Sequence, residues 1–144
     1  MQNYENTITV KTEPKRAFEA ITKEMSNWWT SMTSVITNPG DKTTAQFDDG
    51  TSWSFEVTKL EENRFVELRC YDANHIHPVT TPEMRTEWQD TLLRFEIEDR
   101  SGTTNIHFTH EGLTPAMACF TICQSGWNHF FGSSLKTYLE KPTA

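Results

Sequence analysis

The chain is short of positive charge. Thirteen Lys and Arg stand against 20 Asp and Glu, leaving a formal charge of −7 and a pI near 5.2. No cluster of basic residues offsets that balance, so a phosphate backbone and an anionic membrane surface are both poor partners, and no nucleic acid is expected. Long apolar runs are lacking too: none reaches the roughly 18 residues of a membrane-crossing helix, so no membrane span is expected. The opening M-Q-N-Y-E-N-T has neither the basic nor the apolar region of a secretory signal. Cysteine is scarce and odd in number, with Cys70, Cys119 and Cys123 only. Cys119 and Cys123 stand four apart on an expected helix, a poor geometry for a bridge, so reduced thiols in a cytoplasmic setting are expected. There are no repeats, low-complexity segments or interdomain linkers, and 144 residues fit one domain spanning 1–144.

What the chain does have is aromatic surface: nine Phe and five Trp bring the aromatic share to 12%. In so small a domain this implies a bulky core or a lined pocket. Ile8 and Val10 alternate with polar neighbours and predict a first strand. Pro14 near a first turn, with Ala17, Phe18 and Ile21 on one side, predicts a helix. A second short helical piece begins at Ser26-Asn27 and carries Trp28 and Trp29. The middle of the chain alternates with period two through Trp53/Phe55/Val57, Val66/Leu68/Cys70, Leu93/Phe95/Ile97 and Ile106/Phe108/His110. Asp49-Gly50 and Ser101-Gly102 read as hairpin turns, so the sheet is mostly antiparallel with one apolar face. Residues 72–87 form one long connection, a lid or a simple excursion of the chain.

Thr114-Pro115 predicts the start of a last helix of about 26 residues, or about 39 Å at 1.5 Å per residue. At 100° per residue its apolar face comprises Ala116, Phe120, Cys123, Trp127, Phe131, Leu135 and Tyr138. Gly126 and Gly132 each cost about 1 kcal/mol relative to Ala in a helix interior. They call for a reason: a close backbone approach, or room beside Trp127.

The order is strand, two helices, six strands, long helix. The segments I-T-V, E-P-K-R-A-F-E-A-I-T, N-W-W-T, W-S-F-E-V-T-K-L and W-Q-D-T-L-L-R-F-E-I follow one another. After them come F-T-H-E-G-L and C-Q-S-G-W-N-H-F-F-G-S-S-L-K-T-Y-L-E. In that order and spacing the chain resembles the Aha1-like (activator of Hsp90 ATPase homologue 1-like) family of the START-like, or SRPBCC, superfamily. The resemblance implies an α+β helix-grip fold, a curved antiparallel sheet around a long C-terminal helix with a cavity between them. It also implies lipids, sterols, polyketides or other apolar molecules as ligands. Cyclase or hydratase activity occurs in some members, and a co-chaperone role belongs to another. No shared catalytic motif comes with the fold.

The expected function is binding of a hydrophobic or amphipathic small molecule between sheet and helix. The expected cavity residues are Trp28, Trp53, Phe55, Leu68, Cys70, Thr91, Leu93, Phe95, Phe108, His110, Gln124, Trp127 and Phe131. Each also has a plainer reading as core. His110, at the end of an apolar strand face, is either a general acid or base or a structural histidine hydrogen-bonded near the last helix. Gln124, Cys70 or Thr91 would orient a polar end of the ligand. His75 and His77 form an H-x-H that needs a third ligand such as Asp72 or His107. His129 falls on the helix side opposite Cys119 and Cys123. No metal site and no cofactor are therefore expected. A chaperone and a second copy of the chain, as a homodimer, are the secondary partners.

Overall fold

The computed structural model describes residues 2–76 and 81–141. His77 of the H-x-H pair lies outside them. Among the described residues the chain forms β1 (Tyr4–Val10), α1 (Pro14–Thr22), β2 (Ser31–Met32), β3 (Lys42–Gln46), β4 (Ser52–Glu61), β5 (Phe65–Asn74), β6 (Leu92–Asp99) and β7 (Thr104–Glu111). The C-terminal helical segment comprises α2 (Phe120–His129), a π-helical turn (Phe130–Leu135) and α3 (Lys136–Glu140). The strands make one sheet in the order β1-β7-β6-β5-β4-β3-β2, with every neighbouring pair antiparallel.

Period-two alternation determines which face is buried. Trp53, Phe55 and Val57 of β4, Val66, Leu68 and Cys70 of β5, and Leu93, Phe95 and Ile97 of β6 are buried, as are Ile106, Phe108 and His110 of β7. Cross-strand pairing sets Phe95 opposite Phe108 and Leu93 opposite His110. The β4–β5 register shifts at Ser54/Phe55 and again at Val57/Lys59. Such bulges bend and twist a sheet, which here curls around the C-terminal segment. The turns hold left-handed residues where expected: Gly50 at φ 94°, with Ser101 at 55° and Gly102 at 109°.

α1 begins at Pro14, whose missing N–H costs nothing in a first turn, and it buries Ala17, Ala20 and Ile21. The expected second helix is only a 3₁₀ turn at Met25–Asn27, and both tryptophans follow it. Their side chains diverge. Trp28 is buried against α1 and donates its indole N–H to the carbonyl of Ala20 at 2.8 Å.

The last helix differs from its expected form in two ways. Thr114-Pro115 opens a turn rather than a helix: Met117 N–H bonds the carbonyl of Thr114, and Ala116 is exposed. Regular α-helix starts only at Phe120. The buried positions are then Cys123, Trp127, Phe131, Leu135 and Leu139, each four residues on from the last. At 100° per residue, four such steps in an unbroken α-helix would drift by about 160°. The wider π turn at Phe130–Leu135 takes up part of that drift. It brings Leu139 to the core and leaves Tyr138 only half-buried.

Candidate functional site

The sheet centre is filled. Phe55, Leu68, Cys70, Leu93, Phe95, Phe108, His110 and Phe131 have no exposed surface. Their rings close-pack, with Phe95 and Phe108 centroids 4.8 Å apart and Phe108 and Phe131 5.1 Å apart. These expected cavity residues are brought together as core.

The open space lies to one side, between the β3–β4 end of the sheet and α2. This pocket has a volume of about 630 Å³. Its walls are Trp29, Phe47, Trp53, Trp88, Trp127 and Phe130, with His75, Cys123, Gly126 and His129 at its edges. Of the residues expected from sequence, Trp53 and Trp127 line it. Trp28 does not, because its indole is turned back to Ala20; its neighbour Trp29 takes the place. Gln124 does not either: it is exposed on the opposite side of α2, beside Tyr4 and Asn128.

Four tryptophans form the wall. Trp53 and Trp88 stack with centroids 3.8 Å apart and planes 12° off parallel. Trp127 lies 5.8 Å from Trp88 at 15°, and Trp29 lies 5.0 Å from Trp127. Rings stacked in near-parallel array cover one another's faces and offer little hydrogen-bonding capacity. Trp88 escapes the sequence reading, and the W-W pair does not by itself choose between Trp28 and Trp29. Trp88 sits between the long 72–87 connection and β6, where no alternation identifies a face. For Trp29 the signal is the W-W pair itself, which does not say which of the two buried rings faces the pocket.

Two buried groups give the wall its polarity. The Trp53 indole N–H is buried without a hydrogen-bond acceptor among the described residues. An unsatisfied buried donor costs about 1–3 kcal/mol. His110 is the other. The Trp127 indole N–H donates to its Nδ1 at 3.0 Å, and its Nε2 lies 2.9 Å from Thr91 Oγ1. An indole can only donate, so Nδ1 is the acceptor and the proton sits on Nε2. Thr91 accepts that proton's bond and donates its own hydroxyl to the Trp88 carbonyl at 2.6 Å. Burial drives the His110 pKa down to about 3, so the ring is neutral at physiological pH. Both nitrogens are committed. His110 holds Trp127, and through Thr91 the backbone of Trp88, in place behind the pocket.

Gly112 of the H-E-G-L turn protects this relay. It has φ 100°, and a Cβ there would stand 2.7 Å from Thr91 Cγ2. Gly126 has the opposite character: a Cβ would meet nothing within 4 Å, because the glycine faces the open pocket.

The other expected histidine partners separate. His107 lies on the outer sheet face, hydrogen-bonded to Thr7 and Glu5. His129 is exposed and packs edge-on against Phe130. His75 instead turns inward, its ring 5.1 Å from that of Trp53.

A curled antiparallel sheet closed by a C-terminal helix defines a helix-grip protein of the START-like class. The chain belongs to the family described as activator of Hsp90 ATPase homolog 1-like protein, whose model matches residues 11–140. Among solved structures it is similar to the Aha1 dimer from Colwellia psychrerythraea, at 25% identity and a TM-score of 0.77 over 100% of both chains. A protein of Mesorhizobium loti shares the fold at 17% identity and a TM-score of 0.74, over 94% of this chain and 96% of that one. DynU16, from the dynemicin biosynthetic locus, shares it at 18% identity and a TM-score of 0.72, over 94% of this chain but 46% of its own length. No curated protein is matched in sequence. Among the described residues no helix is long and apolar enough to cross a membrane.

Proposed function

We propose that this chain is a binding domain for a small, flat, apolar or amphipathic molecule held between the β3–β4 end of the sheet and α2. The observation that carries the reading is the tryptophan-walled pocket of about 630 Å³ beside Gly126. That volume is within the usual range for small-molecule sites. Burying about 300 Å² of apolar ligand surface would contribute about 7.5 kcal/mol at 25 cal/mol per Å², before the cost of association. The cyclase or hydratase alternative has less support, since His110 is neutral, sealed and doubly hydrogen-bonded.

The test is native mass spectrometry of purified protein, followed by thermal shift across a panel of lipids and polycyclic aromatics. A retained small molecule or a positive shift is expected in the native chain. Gly126→Trp, which places an indole in the pocket, is expected to abolish both while the protein still melts cooperatively. No retained mass and no shift anywhere in the panel would sink the proposal.

The family description favours a second reading, a co-chaperone surface. Capture of this chain by Hsp90 that is indifferent to Gly126→Trp would favour it. The Colwellia relative is a dimer, and a homodimer of this chain is tested by light scattering on a sizing column. The three buried free thiols suit a reducing, cytoplasmic setting.

A further inference from the structure

Beside the aromatic wall, three metal-ligating side chains meet from two distant parts of the chain. His75 follows β5, and Cys119 and Cys123 stand at the start of α2. All three are buried, and one ligand atom from each lies within 4.8 Å of the other two. We propose that His75, Cys119 and Cys123 form a three-ligand site for Zn(II), with the fourth coordination position open to the aromatic pocket.

The donor set selects the ion. Two thiolates and an imidazole are soft ligands suited to Zn(II) or Cu(I) rather than to Mg(II) or Ca(II). Charge then separates the two. Two thiolates and a neutral imidazole carry −2, so a divalent ion leaves the buried site neutral while Cu(I) leaves −1 in apolar surroundings, where net charge is costly. Loading releases two thiol protons to solvent and involves no electron transfer.

The geometry needs little movement. Zn–S bonds of about 2.3 Å and Zn–N bonds of about 2.0–2.1 Å place tetrahedral donors roughly 3.5–3.8 Å apart. The two sulfurs are now 2.8 Å apart, with the Cys123 thiol donating to Cys119 Sγ. Opening that pair by about 1 Å and closing the widest separation by about 1 Å reaches the required spacing. Rotation of cysteine side chains on a fixed backbone covers such distances.

The surroundings hold the donors as an outer shell does in metal sites. Trp88 donates its indole N–H to Cys123 Sγ at 3.2 Å. The Glu87 carboxylate accepts from the backbone N–H groups of Ala118 and Cys119 at 2.8 and 2.9 Å, fixing the start of α2. The His75 backbone is tied to the Arg85 carbonyl, and the next N–H, of Ile76, to Thr51 Oγ1. His75 and Cys123 both line the pocket, which is why the vacant position faces it. A neutral carbonyl oxygen on a pocket ligand would complete the tetrahedron and keep the site uncharged.

The experiment is a titration of chelator-stripped, fully reduced protein with Zn(II) in competition with a chromophoric chelator. Expected are one Zn(II) per chain, a submicromolar dissociation constant, and a thiolate-to-metal charge-transfer band when Co(II) replaces it. Removing outer-shell partners alone weakens metal sites by about 10–100-fold, so Cys119→Ser and Cys123→Ser should each weaken binding by at least about 100-fold. His107→Gln, on the outer sheet face, should leave it unchanged. Wild-type stoichiometry decides the matter even if a variant misfolds. Substoichiometric or weak Zn(II) binding, binding indifferent to both serine variants, or uptake of Cu(I) but not Zn(II) would overturn the proposal. No apolar ligand enters these readouts, so their failure and that of the binding-domain reading are distinguishable.

Discussion

At the scale of the residue, His110 shows how one group changes meaning with its partners. A histidine ending an apolar strand face is compatible with acid–base chemistry. An indole on one nitrogen and a threonine on the other turn it into a strut. The depressed pKa has a consequence for stability. The unfolded chain protonates this ring near pH 6.5, whereas the folded chain resists until about pH 3. The stability it lends is therefore complete above pH 6.5 and lost as the pH falls toward 3. Between pH 7 and 5 the loss from this group should be about 2 kcal/mol. Urea unfolding at both pH values should show it in the native chain and not in His110→Gln, whose baseline stability is lower. Gly126 offers a simpler test. Its Cβ would enter open space, so Gly126→Ala should raise stability by about 1 kcal/mol through helix propensity alone. A lower melting temperature in that variant would show that the position has a backbone requirement beyond the pocket.

At the scale of the element, the π turn is the decisive feature. It opens with two adjacent phenylalanines that face different ways, as neighbours about 100° apart on a helix do. Phe131 is wholly buried against Phe95 and Phe108, while Phe130 is half-buried and lines the pocket beside Phe47. Phe131→Ala should cost about 3–5 kcal/mol, the usual range for a buried ring. Phe130→Ala should cost about 1 kcal/mol and instead weaken ligand binding. Chemical denaturation of the pair gives the comparison; equal losses would mean that both rings belong to the core. The strands were largely legible from alternation, because burial on one face imposes a period of two. The last helix was legible as a helix but not in its start or its winding. Thr114-Pro115 carries a start signal that the chain does not use. A 3.6-residue period alone gave no sign of the wider turn, which follows from the demand to bury every fourth residue against a curved sheet.

At the scale of the whole molecule, the aromatic content divides between two tasks. Phe55, Phe95, Phe108 and Phe131 pack the sheet centre, while Trp29, Trp53, Trp88 and Trp127 gather with Phe47 and Phe130 at one side of α2 around an opening. Apolar alternation marks a residue as inward but cannot say whether another side chain or open space lies beyond it. That is why Phe55, Leu68, Leu93, Phe95 and Phe108 read as cavity walls from sequence and stand as core in the fold. His75 and the two cysteines make the same point, since no spacing in the chain relates them.

The sequence by itself determined the strand faces, the antiparallel hairpins, the family and the weight of aromatic side chains near the C-terminal helix. These follow from local rules: side-chain period, turn chemistry and the order of segments. Only the tertiary structure decided where the sheet is filled and where it stays open, which tryptophan of the W-W pair faces the pocket, and that His75 meets Cys119 and Cys123. Those outcomes depend on the curl of the sheet and the winding of the last helix, which bring together residues far apart along the chain.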